Sequence, residues 1–267
     1  MNKEEQIVES SQSPEEHKKW LEEQKNTWKK RAKDYEKLDW VQKDDFLLKM
    51  IQYTEPEKDW AGIDIGAGTG KVASAVSKFI DTVVGIDISE EMITEANKLH
   101  RESGNISFEQ GDVENLRYDK ESFDMATARM VFHHVDDCLK GMKEVFRVLK
   151  PGGHFMLCEG VPPDHLTRDR YERIFELKEK RHTFSEAELI NLFDKAGFQD
   201  IVVRPYFMRQ VSLNNWLNNG ALDQVTIDEI RRLHVESEPH FKYVYNLNEV
   251  DGDVLMDWKF IFIRGTR

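Results

Sequence analysis

The sequence is poor in cysteine: Cys138 and Cys158 are the only two in 267 residues, and they form no CxxC pair. No histidines stand at metal-ligand spacing, so nothing points to a disulfide framework or a metal site, and reduced thiols in a cytoplasmic protein are expected. Long apolar runs are also missing. None approaches the ~18 residues that cross a bilayer, so no membrane association is expected. The opening Met-Asn-Lys-Glu-Glu-Gln lacks the apolar centre of a secretory signal. Basic charge is in deficit, with 38 Lys and Arg against 50 Asp and Glu and a net charge of −12. Such a surface repels polyanions, so nucleic acid is not an expected partner. The densest basic stretch, residues 18–37, is interleaved with Glu22, Glu23, Asp34 and Glu36 and reads as a solvated helix face.

What is present supports a folded core, since 39% of the residues are hydrophobic. Residues 1–12 are polar and read as a flexible N-terminus. Ser13-Pro14-Glu15-Glu16 is a capping box with proline at the first helical position. The stripe Leu21, Trp28, Ala32, Tyr35 and Leu38 predicts an amphipathic helix to about residue 38. A shorter helix carries Phe46, Leu47, Met50 and Ile51. Residues 13–55 are therefore expected to be helical.

From residue 61 onward the pattern alternates. Strands are predicted at 61–65, 82–88, 106–110, 123–128 and 154–159. Helices between them carry Val72, Ala75, Val76 and Phe79, then Met92, Ile93, Ala96 and Leu99, then Leu139, Met142, Phe146 and Leu149. Such alternation implies parallel pairing through right-handed crossovers and hence a doubly wound α/β sheet. Residues 161–185 read as helical and charged. Ser185-Glu186-Ala187-Glu188 opens another capped helix, 201–208 reads as a strand, and 212–237 as one or two helices. Residues 241–246 and 256–264, joined by a turn near Asp251-Gly252-Asp253, read as an antiparallel hairpin on the sheet edge.

The first strand ends in Asp64-Ile65-Gly66-Ala67-Gly68-Thr69-Gly70. Glycines here let the backbone turn sharply and approach a ligand closely, next to the unpaired N–H groups of a helix start. A dinucleotide loop of the form G-x-G-x-x-G would need glycine at position 71, where Lys71 stands. The second strand ends in Asp87, a carboxylate placed to accept both hydroxyls of a ribose.

These residues resemble the class I S-adenosylmethionine (SAM)-dependent methyltransferases, whose first motif is an acidic residue, x, then G-x-G-x-G. The likeness is to the small-molecule, type 11 branch, and it extends through Gln110-Gly111-Asp112-Val113, through 123–134 ending in His133-His134, and through the Leu149-Lys150-Pro151-Gly152-Gly153 turn with the strand after it. It implies a Rossmann-like, mostly parallel seven-stranded sheet with an antiparallel last strand. It further implies a SAM-binding core over 56–160, a helical cap and substrate region over 161–240 interleaved with a late strand, and C-terminal strands over 241–267.

The same resemblance implies cofactor-binding roles for Asp64, Gly66, Ala67, Gly68 and Gly70, with Asp87 at the ribose and Ile88 and Met92 beside it. Asp112 would take the adenine amino group and Val113 cover the ring. Arg129 is placed near the methionine end, where it would pair with the carboxylate of SAM or with an acidic substrate, against a structural ion pair. Tyr35, in Trp28-Lys-Lys-Arg-Ala32-Lys-Asp-Tyr35, is a candidate to cover the sulfonium. Of the two histidines, His134 is the candidate catalytic base, one ring being packed or capping while the other faces the acceptor. Glu159 is left between an acceptor-site and a solvated position. His165, Tyr171, His182, Tyr206, Trp216 and His234 are candidates to shape the acceptor pocket.

The expected activity is methyl transfer by in-line displacement to a small organic acceptor, with S-adenosylhomocysteine (SAH) as product. Asp/Asn-Pro-Pro-aromatic, the mark of nucleic-acid amino methylation, is replaced here by Ala-Arg-Met-Val-Phe. No Pro-Cys pair supports a cysteine nucleophile, and two cysteines are too few for arsenite chemistry. Two rivals stand beside this reading, a nicotinamide-dependent oxidoreductase and a SAM-binding module without turnover. The oligomeric state stays open, a homodimer included.

Overall fold

A computed structural model describes residues 13–32, 35–218 and 222–267. The expected flexible segment 1–12 lies outside them. The central sheet has eight strands: β1 (Ala61–Ile65), β2 (Thr82–Asp87), β3 (Ile106–Gln110), β4 (Phe123–Arg129), β5 (Leu149–Gly160), β6 (Gln199–Ser212), β7 (Asn248–Val250) and β8 (Asp253–Thr266). Their order is β3-β2-β1-β4-β5-β8-β6, with the short β7 paired to β8. Strands β1 to β5 pair in parallel, and β8 is antiparallel to β5, β6 and β7. The Rossmann-like expectation therefore holds, with β7 as one small strand more. The strand order reverses between β1 and its neighbours β2 and β4, and a crevice opens at the carboxyl ends of such strands.

Alternation along the strands builds the two faces. On β5, Phe155 and Leu157 point to one side, and Met156 and Cys158 to the other. The first side is covered by α5 (Cys138–Val148) and α7 (Glu186–Ala196) through Met142, Val145, Leu189 and Phe193. The second is covered by α2 (Asp44–Thr54) and α3 (Lys71–Val76) through Phe46, Met50, Val72 and Val76. A third apolar cluster lies beyond the sheet, where α6 (Arg168–Lys178), α8 (Leu213–Leu217), α9 (Gln224–Val235) and α10 (Pro239–Val244) pack on the first half of β8. Beside β2, α4 (Glu90–Leu99) is capped by Ser89, whose side chain accepts from Met92 N. Cys138 and Cys158 are both free and buried. Among the described residues no helix is long and apolar enough to cross a membrane.

Three expectations need correction. The first helix, α1 (Pro14–Arg31), has the capping box at Ser13 but ends at Arg31, short of residue 38, and a 3-10 turn follows at Tyr35–Lys37. Residues 241–246 are no strand: Pro239 opens α10, and Phe241 stacks on Tyr245, centroids 4.2 Å apart, four residues on as a helix requires. The hairpin is instead β7 with β8. Finally, β8 is interior, between β5 and β6, because Phe260, Ile261, Phe262 and Ile263 are apolar on both faces and must be covered twice.

Candidate active site

The glycine turn after β1 is held from below and from beside. Asp64 is buried, and its Oδ1 accepts from Thr127 Oγ1 at 2.7 Å while Oδ2 accepts from Ala73 N at 3.1 Å. Burial pushes its carboxyl up to about 7, with Thr127 opposing. Asp87 Oδ2 accepts from Gly68 N and Oδ1 from Ser89 N, each at 2.9 Å, so this carboxylate sets the loop and keeps lone pairs toward the crevice. Burial raises it to about 6. Gly66 has φ +62°, and a Cβ there would lie 2.4 Å from Val131 Cγ2, so the turn needs glycine on both counts.

A pocket of about 720 Å³, open mouth included, lies over this turn. Its wall includes Gly66, Gly68, Asp87, Ile88, Met92, Asp112, Val113, Arg129 and Tyr35. The structure thus gathers nine of the twelve expected cofactor residues around one space. Asp64, Ala67 and Gly70 lie behind it: Gly70 caps α3 at φ +86°, where a Cβ would lie 2.5 Å from Phe108 Cζ. Asp112 Oδ1 accepts from Glu114 N and opens the turn Val113–Asn115. Glu114 and Asp136, not foreseen, add two carboxylates to the same wall. His17 Nδ1 lies 2.7 Å from Asp136 and 3.6 Å from Glu114.

Helix α1 spans this pocket and the next. Its inward stripe is His17, Trp20, Gln24, Trp28 and Arg31. Trp20 Nε1 donates to His134 O at 2.8 Å, Gln24 Nε2 to Lys180 O at 3.1 Å, and Arg31 Nη1 to Glu179 Oε2 at 2.5 Å. The stripe expected from the sequence is kept, with Leu21, Trp28 and Tyr35 on pocket walls and Ala32 and Leu38 buried, and the polar His17, Gln24 and Arg31 join it on the inward face. Arg31 is accordingly buried, an exception to the solvated face expected for residues 18–37.

A second pocket, about 990 Å³ with its mouth, lies under α1 and the cap and is mostly aromatic. Trp28, Tyr35, Met130 and His134 belong to the walls of both pockets. Met130 follows β4 with φ +58°, an uncommon conformation for a residue with a side chain, and its Sδ accepts from Gly160 N at 3.1 Å. Of the cap candidates, Tyr171, Trp216 and His234 line this pocket. His165 is exposed, His182 stacks on Trp20 at 5.3 Å, and Tyr206 donates to Asp45 at 2.7 Å.

Glu159 is neither solvated nor on a pocket wall. It is fully buried, accepting from Val131 N, Phe132 N and lying 2.6 Å from His133 Nδ1, and burial raises it to about 7. His133 is thereby the anchored ring. His134 stands edge-on to Trp28 at 5.1 Å, and its Nδ1 is buried with no hydrogen-bond partner among the described residues. Burial holds both histidines well below the ordinary value, hence neutral near pH 7. Lys178, Glu179 and Arg181 also line this pocket and went unnoticed in the sequence, where the charges of 161–185 looked solvated.

Comparison with known proteins agrees with this arrangement. A family model described as a methyltransferase domain matches residues 63–157. Over 227 residues the chain is 28% identical to the uncharacterized methyltransferase YcgJ of Bacillus subtilis, across 82% of this chain and 88% of that one. The crystal structure of YcgJ matches with a TM-score of 0.73 at 26% identity, over 83% of this chain and 97% of the other. A demethylmenaquinone methyltransferase of Staphylococcus epidermidis is 29% identical over 174 residues, 56% of this chain and 72% of the relative.

Proposed function

Because the chain belongs to the class I SAM-dependent methyltransferase family, we propose that it moves a methyl group from SAM in the pocket over Gly66–Gly70 to a small organic acceptor in the aromatic pocket. The observation that carries this reading is the wall of Trp28, Tyr35, Met130 and His134 shared by the two pockets. Two reactants on either side of one wall are held close, which converts an encounter in solution into a step between positioned groups.

SAM supplies an already activated methyl on a sulfonium, so the chain need only bind, orient and keep out water. The residues present fit it. Asp87 has lone pairs free for two ribose hydroxyls, Asp112 would accept from the adenine amino group, and Val113 offers an apolar face. Arg129 is positioned for the amino acid carboxylate. Trp28 and Tyr35 would offer a ring face to the sulfonium. Residues 161–240 supply the cap over the acceptor.

An acceptor that arrives protonated needs a base, and His134 is the group on the common wall that can take a proton. Neutrality at pH 7 fits it to accept, although burial limits its basicity. Incubation with methyl-labelled SAM and fractionated small metabolites tests the proposal. Label should pass to a small-molecule fraction, and SAH but not NADH should raise the melting temperature. Stabilisation by NADH and not by SAH would overturn it.

A further inference from the structure

The aromatic pocket has a cationic end. Arg31, Lys178 and Arg181 reach it from α1, from the end of α6 and from the segment after it, and their side chains are only 5%, 5% and 2% exposed. One carboxylate stands among them: Glu179, 7% exposed, takes Arg31 Nη1 at 2.5 Å and Lys178 Nζ at 3.2 Å on Oε2, with Arg181 Nη1 3.7 Å from Oε1. Three positive groups thus face one negative group. Among the described residues, even with Glu159 counted as ionised behind His133, one positive charge is left without a counter-charge. Nor are the donors used up, since Arg31 Nε and Arg181 Nη2 are buried without a hydrogen-bond partner among the described residues.

Taking cations out of water is costly unless an opposite charge and hydrogen bonds meet them. In a chain of net charge −12 the excess cannot be a general surface property. Around the cations the lining is aromatic: Arg181 lies over Phe175 at 4.2 Å, Lys178 over Trp216 at 4.9 Å, and Arg31 over Trp28 at 5.5 Å. His133, His134 and Glu179 could bring three ligand atoms within 4.8 Å of one another, but the three cations beside Glu179 oppose a metal ion there.

We propose that the methyl acceptor is an amphipathic anion, whose carboxylate or phosphate docks between Arg31, Lys178 and Arg181 and whose apolar body lies among the aromatic side chains. This rests on the reading of the aromatic pocket as the acceptor site. A planar guanidinium presents paired N–H donors to an oxyanion, and the buried Nε of Arg31 and Nη2 of Arg181 are such donors left open.

The test is calorimetric titration of the SAH-loaded protein with phenylacetate, phenyl phosphate and the neutral phenylacetamide. At least one anion should bind about tenfold or more tighter than the amide, a gap of ~1.4 kcal/mol. The stronger of the two anions identifies the headgroup. Lys178→Met should shrink that gap to about threefold or less, while SAH affinity, set in the other pocket, stays unchanged and reports an intact fold. Equal binding of anions and amide, or binding of none of the three to protein that holds SAH, overturns the inference. Failure to bind SAH at all instead sinks the methyltransferase reading on which it rests.

Discussion

The two pockets share a wall yet differ in charge and in construction. The pocket over the glycine turn is acidic, with Asp87, Asp112, Glu114 and Asp136 against Arg129. The aromatic pocket is basic, with Arg31, Lys178 and Arg181 around Glu179. The first is built at the carboxyl ends of β1, β2 and β4 and just beyond β3, on turns tied down by backbone hydrogen bonds. The second is assembled from α1, the cap helices and the first half of β8, elements that meet only in the folded chain. An acidic site suits a cationic sulfonium donor, and a basic one suits an anion. Their opposition would keep each reactant on its own side.

The sharpest way to break this contrast is to damage the turn that only the first pocket uses. Gly66→Ala would impose left-handed strain of about 1–3 kcal/mol and an overlap with Val131 costing about 1–3 kcal/mol more. Urea unfolding should show that loss, and SAH should recover little of it. Next in size is Asp87→Ala, expected to weaken SAH by about 1.5–3 kcal/mol, the worth of hydrogen bonds to a charged group. Lys178→Met should leave SAH binding as it was, and a matching loss in both variants would erase the distinction between the pockets.

A smaller effect sharpens the contrast by pH. Asp87 has its carboxyl raised to about 6 by burial, against the N–H groups of Gly68 and Ser89 that lower it. The ribose hydroxyls favour the ionised form, so SAH affinity should be full above about pH 6. It should fall below that pH as the carboxyl protonates, by up to about tenfold per unit. Glu114, also raised to about 6, and Asp64, raised to about 7 beneath the turn, titrate nearby, and Asp87→Asn separates Asp87 from them: a slope that survives in Asp87→Asn belongs to Glu114 or Asp64. Smallest is Trp20→Phe, which removes the bond from Nε1 to His134 O and should cost about 0.5–1.5 kcal/mol of stability. An unchanged melting temperature would mean that α1 is held by its other contacts.

Legibility in the sequence followed the same division. Asp87 could be located because a buried apolar run ends on it, and in a parallel sheet strand ends point to the crevice. Asp112 and Val113 follow β3 in the same way. Strand–helix alternation likewise carried β1 to β5 and their parallel pairing, though not their order in the sheet. The cationic end was hidden for a physical reason. Charges in a helical stretch are usually solvated, and nothing local distinguishes Arg31 or Arg181 from Lys29 or Lys180, which are exposed. Their burial depends on α1 lying across the cap, a contact between residues about 150 positions apart. Phe241 and Tyr245 misled for a related reason, since alternating aromatics suit a strand until Pro239 starts a helix in front of them.

The division between the two pockets depends on where the cofactor sits, and a crystal structure of the chain with SAH bound tests it most directly. The ribose should lie on Asp87, the adenine against Asp112 and Val113, and the sulfur at the wall of Trp28, Tyr35, Met130 and His134, with the aromatic pocket left open beyond it. SAH seated in the aromatic pocket, or bound away from Asp87, would contradict the division into an acidic donor site and a basic acceptor site.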